Sequence, residues 1–185
     1  VCTKIGTHAL HGHTGAVFFP DIPSSALTSQ IVSGDTAEDS HNGIAVSHKS
    51  KEEMEICEWR PYESLSIENC VMVGHIAAPE ITGDLTPASM SYEIVTGILR
   101  QQLNFEGVVL TDALGMGAIT NEYTSAEAAV NAIGAGCDIL LCPDDLRESF
   151  EAVTESVENG TISEERINES VYRILRLKRT YGLIK

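Results

Sequence analysis

Three short apolar runs rich in β-branched residues recur along the chain, at Cys70 to Ile76, Gly107 to Thr111 and Cys137 to Cys142. Each is bounded by turn residues or charge, the pattern of strands buried on both faces. Around them apolar residues fall at helical spacing. Ile94, Val95, Ile98, Leu99 and Leu103 form one stripe. Ala126, Ala129, Val130 and Ile133 form a second, preceded by Thr124 and Glu127 at capping-box spacing. Leu146, Phe150, Val153 and Val157 repeat at the same period after the last strand, with Asp144 as the simplest cap. A final helix opens at Ser163, has Glu164 and Glu165 in its first turn, and carries Ile167, Val171, Ile174 and Leu175 on one face. An earlier helix begins at Ser50, capped reciprocally by Glu53, and runs towards Leu65.

Alternating strands and helices imply right-handed βαβ units and a parallel sheet, hence an α/β fold. A (β/α)8 barrel and a doubly wound sheet both fit that pattern. A complete eight-stranded barrel needs about 200 residues or more, so a chain of 185 residues with three clear strands accommodates only part of one. Residues 1–33 read differently. They hold His8, His11 and His13, a short strand candidate at Ala16 to Phe19, and a polar stretch from Pro20 to Ser33. The expected division is an atypical N-terminal arm over 1–33 and an α/β unit over 34–185.

Composition narrows the partners. The chain carries 12 Lys and Arg against 27 Asp and Glu, a formal net charge of −15. Such a chain repels phosphate unless its few basic residues cluster, and no cluster is visible, so neither nucleic acid nor an anionic membrane is expected as a partner. An apolar share of 43% argues for a folded domain, and no apolar run approaches membrane-spanning length. Cys2, Cys57, Cys70, Cys137 and Cys142 form an odd set without a Cys-x-x-Cys pair, which favours scattered reduced thiols over a disulfide framework. The address expected is cytoplasmic, or secreted where a leader precedes Val1, since an opening Val suggests a cut or missing start.

Two places carry candidate chemistry. Asp112 follows the run Gly107 to Thr111, at the carboxyl end of a predicted parallel strand, where ligands and catalytic groups collect. A plain helix cap explains that position as well. Asp39 and His41 lie two apart in the polar loop Gly34 to His41, where a bend would let the carboxylate orient the imidazole and raise its pKa. A histidine so tuned gives and takes a proton near neutral pH. An Asx-type turn with a solvated histidine is the structural alternative.

From Gly34 to the C-terminus the chain resembles glycoside hydrolase family three, in its β-N-acetylglucosaminidase (β-hexosaminidase) branch. The resemblance rests on Gly34, Asp35 and Thr36, then Asp39, Ser40 and His41, then Val71 to Ile76, Pro87 to Ser91, Gly107 to Met116 and Ser163 to Leu183, in that order. It implies the C-terminal portion of a (β/α)8 TIM barrel, incomplete, and a retaining glycosidase of cell-wall or chitin-type glycans ending in β-linked N-acetylglucosamine, needing no cofactor and no metal. It also implies Asp112 as nucleophile and His41, held by Asp39, as acid/base. A histidine in that role repels an anion less than a carboxylate would, which leaves phosphate open as an acceptor beside water. Met116 aligns with a region that touches the sugar, though core packing explains it equally. His75, ending its strand, is a second candidate for lining the substrate pocket, with a hydrogen-bonded buried histidine as the alternative.

Departures accompany the resemblance. The family's Lys-His-Phe-Pro-Gly-His-Gly signature has no match in Leu27 to Ser33. The earlier barrel strands that grip the sugar have no counterpart. Binding energy drives much of glycosidase catalysis, so weak or absent activity is expected of the polypeptide alone, with self-association through open barrel edges. The competing reading is a non-catalytic fragment or a small α/β interaction module. A doubly wound nucleotide binder has only the sheet pattern in its favour, because Gly115 and Gly117 are followed by Thr120 where the dinucleotide fingerprint requires glycine. His8, His11 and His13 lack a metal-site context. Asn159-Gly160-Thr161 and Asn168-Glu169-Ser170 match glycosylation sequons, informative only for a secreted eukaryotic chain.

Overall fold

A computed structural model describes residues 27–29, as backbone, and 43–185 of the 185-residue chain. Four strands, β1 (Leu27–Ser29), β2 (Cys70–Val73), β3 (Val108–Ala113) and β4 (Ile139–Leu141), form one parallel sheet in sequence order. Cys70 pairs with Val108 and Val73 with Thr111, while Leu27 pairs with Cys70. The three apolar runs are therefore adjacent strands. A fourth strand, β1, falls inside the polar stretch that sequence assigns to the arm. Its three residues pair with Cys70, Val71 and Met72 of β2. The candidate strand at Ala16 to Phe19 lies outside the described residues.

The strands alternate between two faces, as a period of two requires. Val71, Val73 and Val109 pack against Met54, Trp59, Ile94, Val95, Ile98 and Leu99 from the helices on one side. Cys70, Val108 and Leu110 face the other way and meet Ile174, Leu177 and Tyr181. Both faces of β2 and β3 are largely buried, which is why their runs read as continuously apolar, whereas β4 is half-buried along its length.

The helices are α1 (Lys51–Glu53), α2 (Pro79–Thr82), α3 (Gly117–Thr120), α4 (Ser125–Ala135), α5 (Leu146–Glu158) and α6 (Glu164–Thr180), together with a wider-wound helix at Glu93–Gln102. The capping boxes expected at Ser50 with Glu53 and at Thr124 with Glu127 are both present. The helix from Ser50 does not continue regularly. It widens at Met54–Glu58 and tightens at Arg60–Ser64, where Pro61 cannot donate a backbone hydrogen bond. The chain leaves α4 through Gly136, at φ +123°. A Cβ there would meet Thr96 Oγ1 at 2.5 Å, so this reversal needs glycine.

Two helices orient differently from their apolar stripes. In α5, Leu146 and Phe150 are 71% and 70% exposed, while Ser149 and Ser156 are buried. α4 packs along α5 and buries mainly alanine, so small side chains let the backbones approach and the larger ones turn outward. The cap of α5 is Asp145, not Asp144: its side chain accepts from the N–H groups of Arg147 and Glu148. Ser163 caps α6 as expected, but Val171 and Leu175 are exposed and Leu177 is buried.

The placement of α6 organises the molecule. Arg166 donates to the carbonyl of Cys137, Arg176 to that of Glu106, and Tyr181 to that of Glu68. These carbonyls lie just ahead of β4, β3 and β2. α6 thus runs beneath the amino ends of three strands and leaves their carboxyl ends to other residues.

The described helices include none long and apolar enough to cross a membrane. Cys70, Cys137 and Cys142 are not in disulfides. Cys57 is disulfide-bonded, so the expectation of uniformly reduced thiols fails at that residue. An odd cysteine count constrains the set and leaves any one pair open.

Candidate active site

β3 extends to Ala113, so Asp112 lies within its last two residues. Asp112 is half-buried. Its Oδ1 accepts the Ala113 N–H at 2.7 Å. This bond holds one of the two carboxylate oxygens. The side chain caps no helix.

The strand end is held firmly on the β4 side. Thr111 Oγ1 accepts from the Leu141 N–H at 3.1 Å, and the register with β4 is irregular between Leu110 and Ala113. Such irregularities re-aim side chains at the ends of strands. The N–H groups of Leu114 and Gly115 then donate to the carbonyls of Leu141 and Cys142, both at 2.9 Å.

His75 comes from the segment after β2 and is only 1% exposed. Its Nε2 lies 3.0 Å from the Ala113 carbonyl and its Nδ1 lies 2.8 Å from the Ser89 hydroxyl. A carbonyl only accepts, so Nε2 carries the proton and the Ser89 hydroxyl donates to Nδ1 in the neutral ring. Burial pushes the imidazole below its ordinary range, while the Ala113 carbonyl and the Asp112 charge pull the other way. Both nitrogens are taken, which leaves neither for a sugar hydroxyl. Ser89 was not singled out from sequence; it lies in the Pro87 to Ser91 stretch, and only the fold reveals its partner.

Met116 is half-buried, precedes α3, and donates its N–H to the Ala113 carbonyl at 3.1 Å. Asp112, His75 and Met116 therefore converge on one residue, Ala113. Asp39 and His41 lie outside the described residues, as do His8, His11 and His13. Among the described residues, no group of three or more His, Cys, Asp or Glu is arranged to hold a metal ion. An open groove of about 540 Å³ adjoins the turn, lined among others by Leu114, Tyr123, Glu127 and Asp144. Asp112 is not among its lining residues.

At the opposite end, the buried Asp138 just ahead of β4 gathers Arg100, Arg166 and Arg173. This cluster joins α6 and the Glu93–Gln102 helix to the sheet, away from the candidate site. No sequence pattern signals this cluster, because its four residues are scattered from 100 to 173.

The family model described as glycosyl hydrolase family 3 N terminal domain matches residues 29–177. The chain is 29% identical over 167 residues to the beta-hexosaminidase A of Pseudoalteromonas piscicida, covering 78% of this chain and 28% of that relative. It is 36% identical over 116 residues to a beta-hexosaminidase of Shewanella frigidimarina, covering 60% and 33%. Among solved structures, a glycoside hydrolase family 3 beta-N-acetylglucosaminidase from a Paenibacillus strain superposes with a TM-score of 0.75 at 37% identity, covering 80% of this chain and 29% of that one. The chain thus spans about a third or less of the length of these relatives.

Proposed function

This chain belongs to glycosyl hydrolase family 3, its parallel α/β sheet being part of a TIM-barrel-like fold, and from that premise we propose that it carries the nucleophile of a retaining glycosidase acting on terminal β-linked N-acetylglucosamine. The observation that carries the proposal is Asp112 at the carboxyl end of β3, with one oxygen held by the next backbone N–H. The names of the relatives, beta-hexosaminidases and a beta-N-acetylglucosaminidase, support the sugar.

In the proposed reaction the second oxygen of Asp112 attacks the anomeric carbon as the bond to the leaving oxygen breaks. That oxygen takes a proton from the His41 imidazolium, which Asp39 orients. Water then gives a proton to the neutral His41 and attacks the same carbon. The carboxylate of Asp112 departs and the β configuration is restored. Cell-wall or chitin-type glycans are the proposed source of the sugar, and phosphate in place of water is the variant to check. The cytoplasm is the proposed location, and self-association through the open sheet edges is proposed for the polypeptide alone.

Trapping tests the first step without requiring turnover. A fluorinated N-acetylglucosaminyl inactivator with a good leaving group is expected to add one sugar mass to Asp112 in the 185-residue chain, and Asp112→Asn to abolish the addition. Nitrophenol release from an aryl N-acetyl-β-glucosaminide, compared with and without phosphate, then identifies the acceptor. Absence of both labelling and release supports the non-catalytic interaction module instead. A monodisperse monomer in sedimentation would remove the self-association proposal.

A further inference from the structure

We propose that His75 is a positioning residue for the nucleophile, braced by the Ser89 hydroxyl and holding the Ala113 carbonyl, so that it fixes the backbone between Asp112 and Met116 without touching the sugar. This inference rests on the reading of Asp112 as nucleophile.

Ala113 is the last residue of β3. Its N–H is given to Asp112 Oδ1 at 2.7 Å. Its carbonyl accepts twice, from His75 Nε2–H at 3.0 Å and from the Met116 N–H at 3.1 Å. Every polar group of this residue's backbone is committed, and each commitment ties it to a different candidate site residue. The Asp112 and Met116 contacts are local. The His75 contact is the one that crosses from the segment after β2, over a separation of 38 residues. It is therefore the bond that sets where this turn lies relative to β2.

The brace behind His75 is itself fixed. Ser89 is fully buried; its N–H donates to the Gly74 carbonyl at 3.1 Å and its carbonyl accepts from Cys137 Sγ at 3.4 Å. A hydroxyl held in this way gives the ring one orientation. A histidine suits the task for an electrostatic reason. The charged group acting on it is Asp112, and a permanent cation in its place would pair with the carboxylate that must attack. A neutral ring, withdrawn from water, supplies a directional donor and leaves the negative charge available.

Side-chain geometry provides the test. A glutamine amide nitrogen reaches the position of histidine Nε2, whereas an asparagine amide reaches only that of Nδ1. In the 185-residue chain, His75→Asn is expected to slow labelling of Asp112 by the fluorinated inactivator about 100-fold, the order of loss that follows a misplacement near 1 Å. The concentration giving half-maximal labelling should stay the same, since His75 makes no contact with the sugar. His75→Gln should recover most of the rate. Labelling of His75→Asn at the wild-type rate, or a loss confined to inactivator affinity, would overturn the inference.

Amide hydrogen exchange gives a readout independent of chemistry. His75→Asn should accelerate exchange at Ala113 and Met116 while leaving Val109, in the same strand, unchanged. Unchanged exchange at Ala113 and Met116 overturns the proposal even if Asp112 is never labelled. A wild-type chain that resists labelling but shows the exchange effect defeats the reading of Asp112 as nucleophile and leaves the role of His75 in placing the turn intact.

Discussion

Arg100 Nη2 meets Asp138 Oδ2 at 2.7 Å, and the carboxylate side chain is wholly withdrawn from solvent. The same oxygen accepts the Val109 N–H at 2.9 Å, while the other accepts from Ser170 at 2.6 Å and from Arg173 at 3.1 Å. Removing a buried partner leaves the opposite charges uncompensated, a loss on the order of 3–5 kcal/mol. Asp138→Ala is expected to lose about that much in urea unfolding, with Asp138→Asn falling in between because its amide oxygen can still serve Val109. A variant as stable as the parent would contradict the arrangement.

A buried neutral histidine makes stability depend on pH in a definite direction. His75 in the folded chain binds its proton more weakly than an ordinary histidine, so below about pH 6.5 the unfolded chain is the more protonated. Its contribution is therefore present above about pH 6.5 and is lost as the pH falls. His75→Gln should flatten this limb by up to about 1.4 kcal/mol per pH unit, read from urea unfolding between about pH 5 and pH 7. An identical slope in both proteins would show that the ring is not protected.

The capping box of α4 predicts a separate acid effect. Glu127 accepts from the N–H and the hydroxyl of Thr124, and these bonds hold its carboxyl below the usual range. Stability from a lowered carboxyl is present above the unfolded value and disappears as pH falls through the folded one. Thr124→Ala should cost about 1 kcal/mol at neutral pH, and the penalty should shrink in acid. Melting curves at about pH 7 and pH 3, followed by circular dichroism, measure the difference; an equal penalty at both would separate Glu127 from the cap.

Burial sets the order in which thiols react. It pushes Cys137 up to about 12 and Cys70 up to about 11, with Asp138 adding to both. At about pH 8 neither should be alkylated by iodoacetamide in the folded chain, whereas both should react in urea. The half-buried Cys142 should be modified first. Mass spectrometry of native and unfolded samples decides it, and early modification of Cys137 would mean that the core opens there.

Much of the local structure is legible in the sequence. Ser50 with Glu53, Thr124 with Glu127, and Ser163 all announce helix starts within four residues. The runs at Cys70 and Gly107 announce strands because both faces of β2 and β3 are largely buried, and the run at Cys137 does so although β4 is only half-buried. Asp112 is identifiable because the strand before it is. The α5 stripe misleads, since Leu146 and Phe150 have the right spacing but Ser149 and Ser156 have the size that lets α5 lie against α4. Asp144 rather than Asp145 reads as the cap for a similar reason: two adjacent carboxylates carry the same signal, and only the backbone direction chooses between them.

Strands β2, β3 and β4, the caps at Ser50, Thr124 and Ser163, and the carboxylate at the end of β3 are all readable from the sequence, because each depends on neighbours a few positions away, whereas β1 and the cap of α5 are not. Only the tertiary structure decided that His75 would reach Ala113, that α6 would run beneath the sheet, and that Arg100, Arg166 and Arg173 would surround Asp138. Those partners lie 28 to 38 residues apart in the pairs with Asp138 and Ala113. No periodicity encodes such pairs, since they arise when chain segments are packed and every buried polar group must find a partner.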